Sequence, residues 1–529
     1  MRIKEKLQHI IKDSLIKLNV EKKLNEIIIE NSKENEFIYY SNIAISLSKD
    51  LHKKPEEIAD NLKNIIKDEL IEKIEVQYPG TLYIYLNKKI LLNIIPEIIE
   101  KNINYGKSNI GEKRKINIDF INTDICDYLD NNSIFNAIYA DNISRILKYN
   151  DFNIVKEYYV NDNSKKLIEL SEKTKERYEE ICKNNSLNYE KQDNNLCLRD
   201  AAYDIYNLYK DSKLEEKLEY FKKEEISTLL YNQQHLLDKY RINYDTSTKE
   251  QSLYDKGLVD KILDILNRKG YTYLFEDELW LKTTSFNDKK DRILIKSDGA
   301  YTKILPLIAY QEDRLNRKYD GLINIYNINN HEDKKYIKPI LKMLEEDLNK
   351  VQINILPQIK ITKNNNEIEN INTLLEDYEV NSIRYLFASQ KVNNEIEIDL
   401  DTISKQVKEN PIYYIEKINI ILHQTLKGYT KKITKINKFS TINNDIAYII
   451  LNKLNEFEDV VITSGLKQMP HLICDYLLEL SKLFNTYYKE EKIITEDEIY
   501  TNERLNMLLA IKIVINNALD LIGIIPRED

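Results

Sequence analysis

The chain has 529 residues, 42% hydrophobic and 31% charged, which implies several globular domains of ~100–200 residues each and excludes a disordered polypeptide. The formal net charge is −9, so a polyanion has to be held by local cationic patches rather than by overall attraction. No stretch approaches the ~20 continuous apolar residues of a membrane span, and Met1-Arg2-Ile3-Lys4-Glu5-Lys6 opens a charged amphipathic helix rather than a signal peptide. Cys126, Cys182, Cys197 and Cys474 are scattered without metal-ligand spacing, and the six histidines form no cluster, so no metal site is expected and the thiols read as reduced, in a cytoplasmic protein.

In chain order, residues 1 to about 110 mix amphipathic helices with short strands. A helix is predicted from Pro55-Glu56-Glu57-Ile58-Ala59 to Lys67, and the Pro79-Gly80 turn leads into the alternating strand Thr81-Leu82-Tyr83-Ile84-Tyr85-Leu86. The polar, basic stretch Gly111-Glu112-Lys113-Arg114-Lys115 reads as a linker. From about 116 to 390 strands alternate with helices, as a parallel α/β sheet requires, interrupted by a highly charged helical insert at about 165–240. Beyond about 400 apolar residues recur at three- and four-residue spacing to the end, which predicts helices, and there is no repeat of solenoid period. Glycine is scarce, 10 in all, where average usage of ~7% would supply roughly three dozen. Heavy Ile, Asn, Lys and Tyr usage points to an AT-rich coding sequence, but such bias does not account for losses where only glycine fits.

The segment IDFINTDICDYLDNNSIFNAIYADNISRILKYNDFNIVKEYYVND, ending in Glu157, Tyr158, Tyr159, Val160, Asn161 and Asp162, resembles the segment that opens the catalytic domain of arginyl-tRNA synthetases, and aligns with it without a gap. Further stretches resemble the same family in order and at its spacing. They include Ser41-Asn42-Ile43-Ala44, Thr284-Ser285-Phe286-Asn287-Asp288-Lys289-Lys290-Asp291-Arg292, Asn410-Pro411-Ile412-Tyr413-Tyr414 and Pro470-His471-Leu472. The resemblance implies α/β plus all-α architecture. Residues 1–112 would be an N-terminal α+β tRNA-elbow domain and 113–395 a class I, Rossmann-like catalytic domain with a parallel sheet, carrying the insert. Residues 396–529 would be a helical anticodon-binding bundle.

In that family a His-x-Gly-His loop supplies donors to ATP and a glycine on which adenine lies. Here the resemblance places Asp130, Asn131, Asn132 and Ser133 at that motif. An ionised Asp only accepts hydrogen bonds, and Asn132 puts a side chain where adenine would stack. Removing one such donor costs ~10²–10³ in rate. The family's Lys-Met-Ser-Lys loop corresponds to Lys360-Ile361-Thr362-Lys363, which keeps both lysines. Of a histidine-rich stretch bordering the adenosine site only His331 remains, within Asn327 to Asp333. The arginine pocket maps to Asp119 and Asp124 on the first strand segment and to Lys303, Leu307 and Gln311 on a helix, with Leu307 where the family places a carboxylate. Lys303 is expected to reach Asp119 or Asp124 and plug the pocket with an ion pair. Lys427, Lys431, Lys432, Lys435 and Lys438 form an acid-free strip with Tyr413 and Tyr414 nearby in sequence, a candidate tRNA contact.

These readings describe a tRNA-binding protein, similar to arginyl-tRNA synthetases, that is defective in ATP-dependent arginine activation. The alternative is a divergent but active arginine–tRNA ligase, for which ATP with magnesium would be needed. The implied partner is a tRNA, tRNA(Arg)-like, with a separate arginyl-tRNA synthetase or another protein as a further partner. A monomer without membrane attachment is expected.

Overall fold

The computed structural model describes residues 3–32, 35, 37–121, 124–126, 129–184, 200–327, 335–364, 366–368, 374–392, 395–402 and 410–528. The chain forms two compact units, Asn109–Lys405 and the combination of Met1–Ser108 with Gln406–Asp529.

The unit Asn109–Lys405 is organised by five strands: β1 (Lys115–Asp119), β2 (Asn153–Val160), β3 (Thr246–Lys249), β4 (Gly321–Asn327) and β5 (Val351–Leu356). Their order in the sheet is β5-β4-β1-β2-β3, and every neighbouring pair is parallel. Sheets of this kind are covered on both faces, which explains strands as apolar as Leu322–Tyr326. Helix α1 (Asn131–Tyr149) covers one face, with Phe135 and Ile138 in a cluster with Ile118, Tyr158, Ile323 and Ile325. Helix α2 (Ile304–Asn316) contributes Leu307, Ile308 and Tyr310 to a second cluster with Tyr159, Leu322 and Tyr326. The two-residue period of a strand therefore turns Asn117, Asp119, Glu157 and Asn324 toward α2. Consecutive strands β1, β2 and β3 run outward from the centre in one direction, and β4 and β5 in the other. The order reverses between β1 and β4, where open α/β sheets form ligand crevices beyond the strand ends.

The insert is helical, with Lys165–Asn184, Ala201–Tyr209 and Leu218–Lys239. Two smaller sheets complete the unit. One is an antiparallel sheet of Thr272–Phe275, Glu278–Leu281 and Arg292–Ile295; the other is built on β6 (Ile359–Lys363), with Asn366–Glu367 and Ile396–Asp399 beside it. A short helix, α3 (Ile337–Met343), precedes β5.

In the other unit, residues from both ends of the chain pack together. A four-stranded antiparallel sheet carries the alternating strand Thr81–Leu86 between Ile38–Ser41 and Ile71–Gln77. At the turn before it Gly80 has φ +143, and a Cβ there would lie 2.7 Å from the Pro55 backbone, so this glycine is one the chain cannot replace cheaply. Four helices follow in the C-terminal part: Pro411–Gly428, Asp445–Lys467, His471–Glu490 and Glu498–Leu521. They join the N-terminal part through the Tyr105 hydroxyl, which donates to the Leu454 carbonyl at 2.9 Å, and the Asn517 amide, which donates to the Asn102 carbonyl at 2.9 Å. Among the described residues no helix is long and apolar enough to cross a membrane, and no group of acidic, His and Cys side chains could hold a metal ion.

Candidate functional site

Asp119 is the last residue of β1, at the β1–β4 reversal, and α1 is the next helix in the chain. Asp130 is the N-cap of α1: its backbone is extended, and its Oδ1 accepts from the Ser133 N–H at 2.7 Å and the Ser133 hydroxyl at 2.6 Å. This is the ordinary use of an Asp ahead of a helix, satisfying an otherwise orphaned N–H. Asn131 and Asn132 are buried. The Asn132 Oδ1 accepts from the buried N–H of Ile359, the first residue of β6, at 2.9 Å, and the Asn131 amide donates to the Ile368 carbonyl at 2.6 Å. The first turn of α1 is thus bonded directly to the segment carrying Lys360 and Lys363.

Lys360 is exposed on β6. Lys363 donates to Asp377 at 2.6 Å and lies 5.3 Å from the centre of the Tyr378 ring; the Asp377 hydrogen bond chiefly raises its ammonium above the usual range. His331 lies outside the described residues.

On the α2 face, Asp119 is fully buried and its charge adds to the burial that pushes the Tyr310 and Tyr326 phenols well above their usual range. Leu307 is buried in the apolar cluster beneath α2. Lys303, by contrast, is exposed at the N-cap of α2 and makes no ion pair with Asp119 or Asp124, so the expected plug does not form. The physical reason is the cost of removing an ammonium from water when a long, flexible stem at a helix start can leave it hydrated. Its charge is felt by Glu250, whose pKa is raised chiefly by burial while Lys303 works the other way. Asp124 is engaged locally, accepting from the Cys126 N–H at 3.1 Å and the Ser164 hydroxyl at 3.3 Å. Burial, helped by Asp124, pushes the Cys126 thiol up to about 12, which leaves it inert as a nucleophile.

Gln311 does not face an open pocket. Its amide donates to Asn324 at 3.0 Å, and its carbonyl oxygen accepts from Arg314 at 3.3 Å. Arg314 is fully buried, bonded to the Asn117 side chain at 2.5 Å and to Asn324 at 2.6 Å, with its guanidinium 5.0 Å from the Tyr310 ring centre. The Asn117 amide donates in turn to Glu157 at 2.7 Å, and Arg317 holds that carboxylate with two hydrogen bonds at 2.8 and 3.0 Å. Burial opposes the charge of Glu157, but the bonds from Arg317 and Thr248 and the nearby guanidinium charges outweigh it and hold the carboxyl below its usual range. Sequence reasoning missed Arg314. The signal was present, because Leu307, Tyr310, Gln311 and Arg314 stand at i, i+3, i+4 and i+7, one face of a helix.

On the opposite face, Asp141 is surrounded by Lys156 at 2.8 Å, Arg145 at 2.8 Å and Arg384 at 2.7 Å. Burial again opposes ionisation and the three cations overcome it, holding this carboxyl well below the usual range.

In the other unit, the helix Pro411–Gly428 ends before most of the lysine strip, which continues as an irregular segment. Asn502 and Asn506 each donate to the Thr434 carbonyl, at 2.8 and 2.9 Å, and Glu503 accepts from the backbone and hydroxyls of Ser440 and Thr441. This pins the segment to the helix Glu498–Leu521 while Lys427, Lys432, Lys435 and Lys438 stay exposed; Lys431 pairs with Glu498. Tyr413 and Tyr414 are half-buried at the start of the helix preceding the strip, and burial raises the Tyr414 phenol.

Comparison with known proteins bears on both units. Residues 412–529 match the model of the DALR anticodon binding domain, and residues 5–87 match that of the arginyl tRNA synthetase N terminal domain. The chain is 28% identical over 560 residues to the arginine–tRNA ligase of Geobacillus thermodenitrificans, covering 100% of this chain and 99% of that protein. It is 27% identical to that of Bacillus subtilis over 555 residues, again covering 100% and 99%. The fold is similar to that of the Thermus thermophilus arginyl-tRNA synthetase, with a TM-score of 0.75 and 16% identity over 99% of this chain and 100% of that one. The Plasmodium falciparum arginyl-tRNA synthetase gives a TM-score of 0.76 at 17% identity, over 100% and 99%.

Proposed function

The chain belongs to the arginyl-tRNA synthetase family, and on that premise we propose that it is a tRNA-binding member in which activation of arginine by ATP has been lost. The observation that carries this reading is the pair of hydrogen bonds that tie the start of α1 to the neighbouring segment, the Asn131 amide donating to the Ile368 carbonyl and the Asn132 Oδ1 accepting from the Ile359 N–H. Formation of an aminoacyl-adenylate builds negative charge around the α-phosphate and needs donors preorganised there. At the start of α1 the Asn131 amide and the Ser133 hydroxyl already donate within the protein, Asn132 is tied to β6 through its carbonyl oxygen, and the one charged group, Asp130, has the sign of a phosphate. These residues do not fit a triphosphate. Leu307, apolar and buried, offers no partner for a substrate guanidinium, and leaving such a group unpaired costs about 2–5 kcal/mol.

What is kept in this reading is the surface for tRNA. The strip at Lys427–Lys438 is exposed, anchored and free of acids in its own sequence, suited to contacting a phosphate backbone. The bound species is a tRNA(Arg)-like molecule, and the protein acts as a cytoplasmic monomer, as regulator or as companion to a separate ligase.

A second reading, a working arginine–tRNA ligase, draws on two observations. Similarity to proteins named arginine–tRNA ligases runs the full length of the chain, and Lys360 is exposed on β6 with no ion pair among the described residues. Arginine-dependent pyrophosphate exchange with ATP and tRNA both present separates the two. The first reading expects no exchange above the no-enzyme control; sustained turnover establishes the second. A gel shift with tRNA at low salt tests the retained surface, and absence of a complex there removes tRNA binding from the proposal.

A further inference from the structure

A cavity of about 390 Å³ opens between the turn at Phe286–Lys289 and α3. Four lysines line it, Lys289, Lys335, Lys338 and Lys342, with a single acidic residue, Asp288. That carboxylate is not available to them. Arg292 holds it through two hydrogen bonds at 2.7 and 2.9 Å, and the Lys289 N–H donates to it at 2.7 Å. Lys338 and Lys342 stand one helical turn apart on α3, a spacing at which like charges destabilise a helix. Lys289, Lys338 and Lys342 are exposed and make no ion pair among the described residues. The chain as a whole carries more acids than bases, 87 against 78, so the grouping of Lys289, Lys338 and Lys342 is not the average surface. Beside the cations lies an aromatic wall, Phe286, fixed edge-on against Tyr271 at 5.1 Å.

A cavity this size exceeds a bare phosphate and lies at the lower end of the ~300–1,000 Å³ of small-molecule sites. Cations on one side and an aromatic ring on the other match a ligand with a phosphate end and a flat base. We propose that this cavity binds a nucleoside phosphate, its phosphates on Lys289, Lys338 and Lys342 and its base against Phe286. The ligand is either a free nucleotide or one nucleotide of an RNA chain. The proposal does not depend on whether arginine is activated.

The test uses the full chain and its K338Q/K342Q variant, with K222Q/K223Q in the helical insert as a charge-matched control. Thermal unfolding first confirms that the variants are folded. Calorimetric titration with ATP is one arm. The other is fluorescence anisotropy with a labelled 12-nucleotide single-stranded RNA, measured in a K432Q/K435Q background so that the strip does not dominate. Loss of two charge-assisted contacts should weaken binding at least about tenfold, while K222Q/K223Q leaves it unchanged. In the RNA arm the dependence of log affinity on log salt should also become shallower by about 1.4. A loss confined to the ATP arm identifies a free nucleotide, and a loss in the RNA arm identifies RNA. If neither ligand binds, or if binding in both arms survives K338Q/K342Q, the proposal is overturned.

Discussion

The bonds from the start of α1 to β6 make a quantitative prediction. In N131A/N132A, the Ile359 N–H loses its acceptor at a buried position and the Ile368 carbonyl loses a donor. An orphaned buried donor costs ~1–3 kcal/mol and an ordinary lost hydrogen bond ~1 kcal/mol, together about 2–4 kcal/mol. The loss should be felt first where β6 opens, and a 2 kcal/mol cheaper opening means about 30-fold faster exchange. Hydrogen–deuterium exchange read on peptides covering 356–364 is the assay, with peptides from the centre of α1 as internal reference. If exchange at β6 is unchanged in the double variant while the protein remains folded, the two bonds do not hold the segment and the case against ATP binding loses its main support.

Four further outcomes are expected. E157Q removes one partner of a pair whose guanidinium is partly exposed and keeps Asp313 at 3.0 Å, and should destabilise the unit Asn109–Lys405 by about 1–3 kcal/mol, read as a lower unfolding midpoint in urea. Because Glu157 and Asp141 both have lowered carboxyl pKa values, their stability contribution is complete above the ordinary values of 4.5 and 3.8 and is lost as pH falls through the lowered ones. Calorimetric midpoints should therefore fall on acidification below those values, less steeply in E157Q. D130A removes the N-cap of α1 and should cost about 1 kcal/mol, whereas D130N, which keeps an acceptor, should cost little. K432Q/K435Q should weaken tRNA binding and reduce the salt slope by about one unit per lysine in contact with phosphate, measured by filter binding across a salt series.

Much of the architecture was legible in the sequence because it rests on local periodicity. The apolar strands, the charged helical insert and the helical C-terminal region all follow from spacing, and the structure has them. The site was legible only in part. Asp130 is read from sequence as a lost donor, and the structure adds that it is a well-made N-cap, a role recognisable from an Asp just before a helix. The partners of Asn131 and Asn132 lie 237 and 227 residues away, so no local pattern could announce them. Lys303 misled because residue type alone gave it an attractive counter-ion, while hydration and its place at a helix start decided where it points. Gln311 read as a pocket residue in isolation; once Arg314 is placed one turn further along the same face, it becomes a member of a buried polar chain.

The joining of the two chain ends into one unit has a consequence for the order of assembly. Tyr105 and Leu454, which meet through a hydrogen bond, are 349 residues apart. At about 5–20 residues per second, a ribosome needs roughly 20–70 s to travel between them. During that interval the apolar face of Ile94–Lys101, with Ile94, Ile95, Ile98 and Ile99, waits for the helix Glu498–Leu521 that will cover it. The whole of Asn109–Lys405 is translated in the meantime and can close first. Synthesis thus leaves this early segment to be finished last, with its isoleucines uncovered until the C-terminal helix is made.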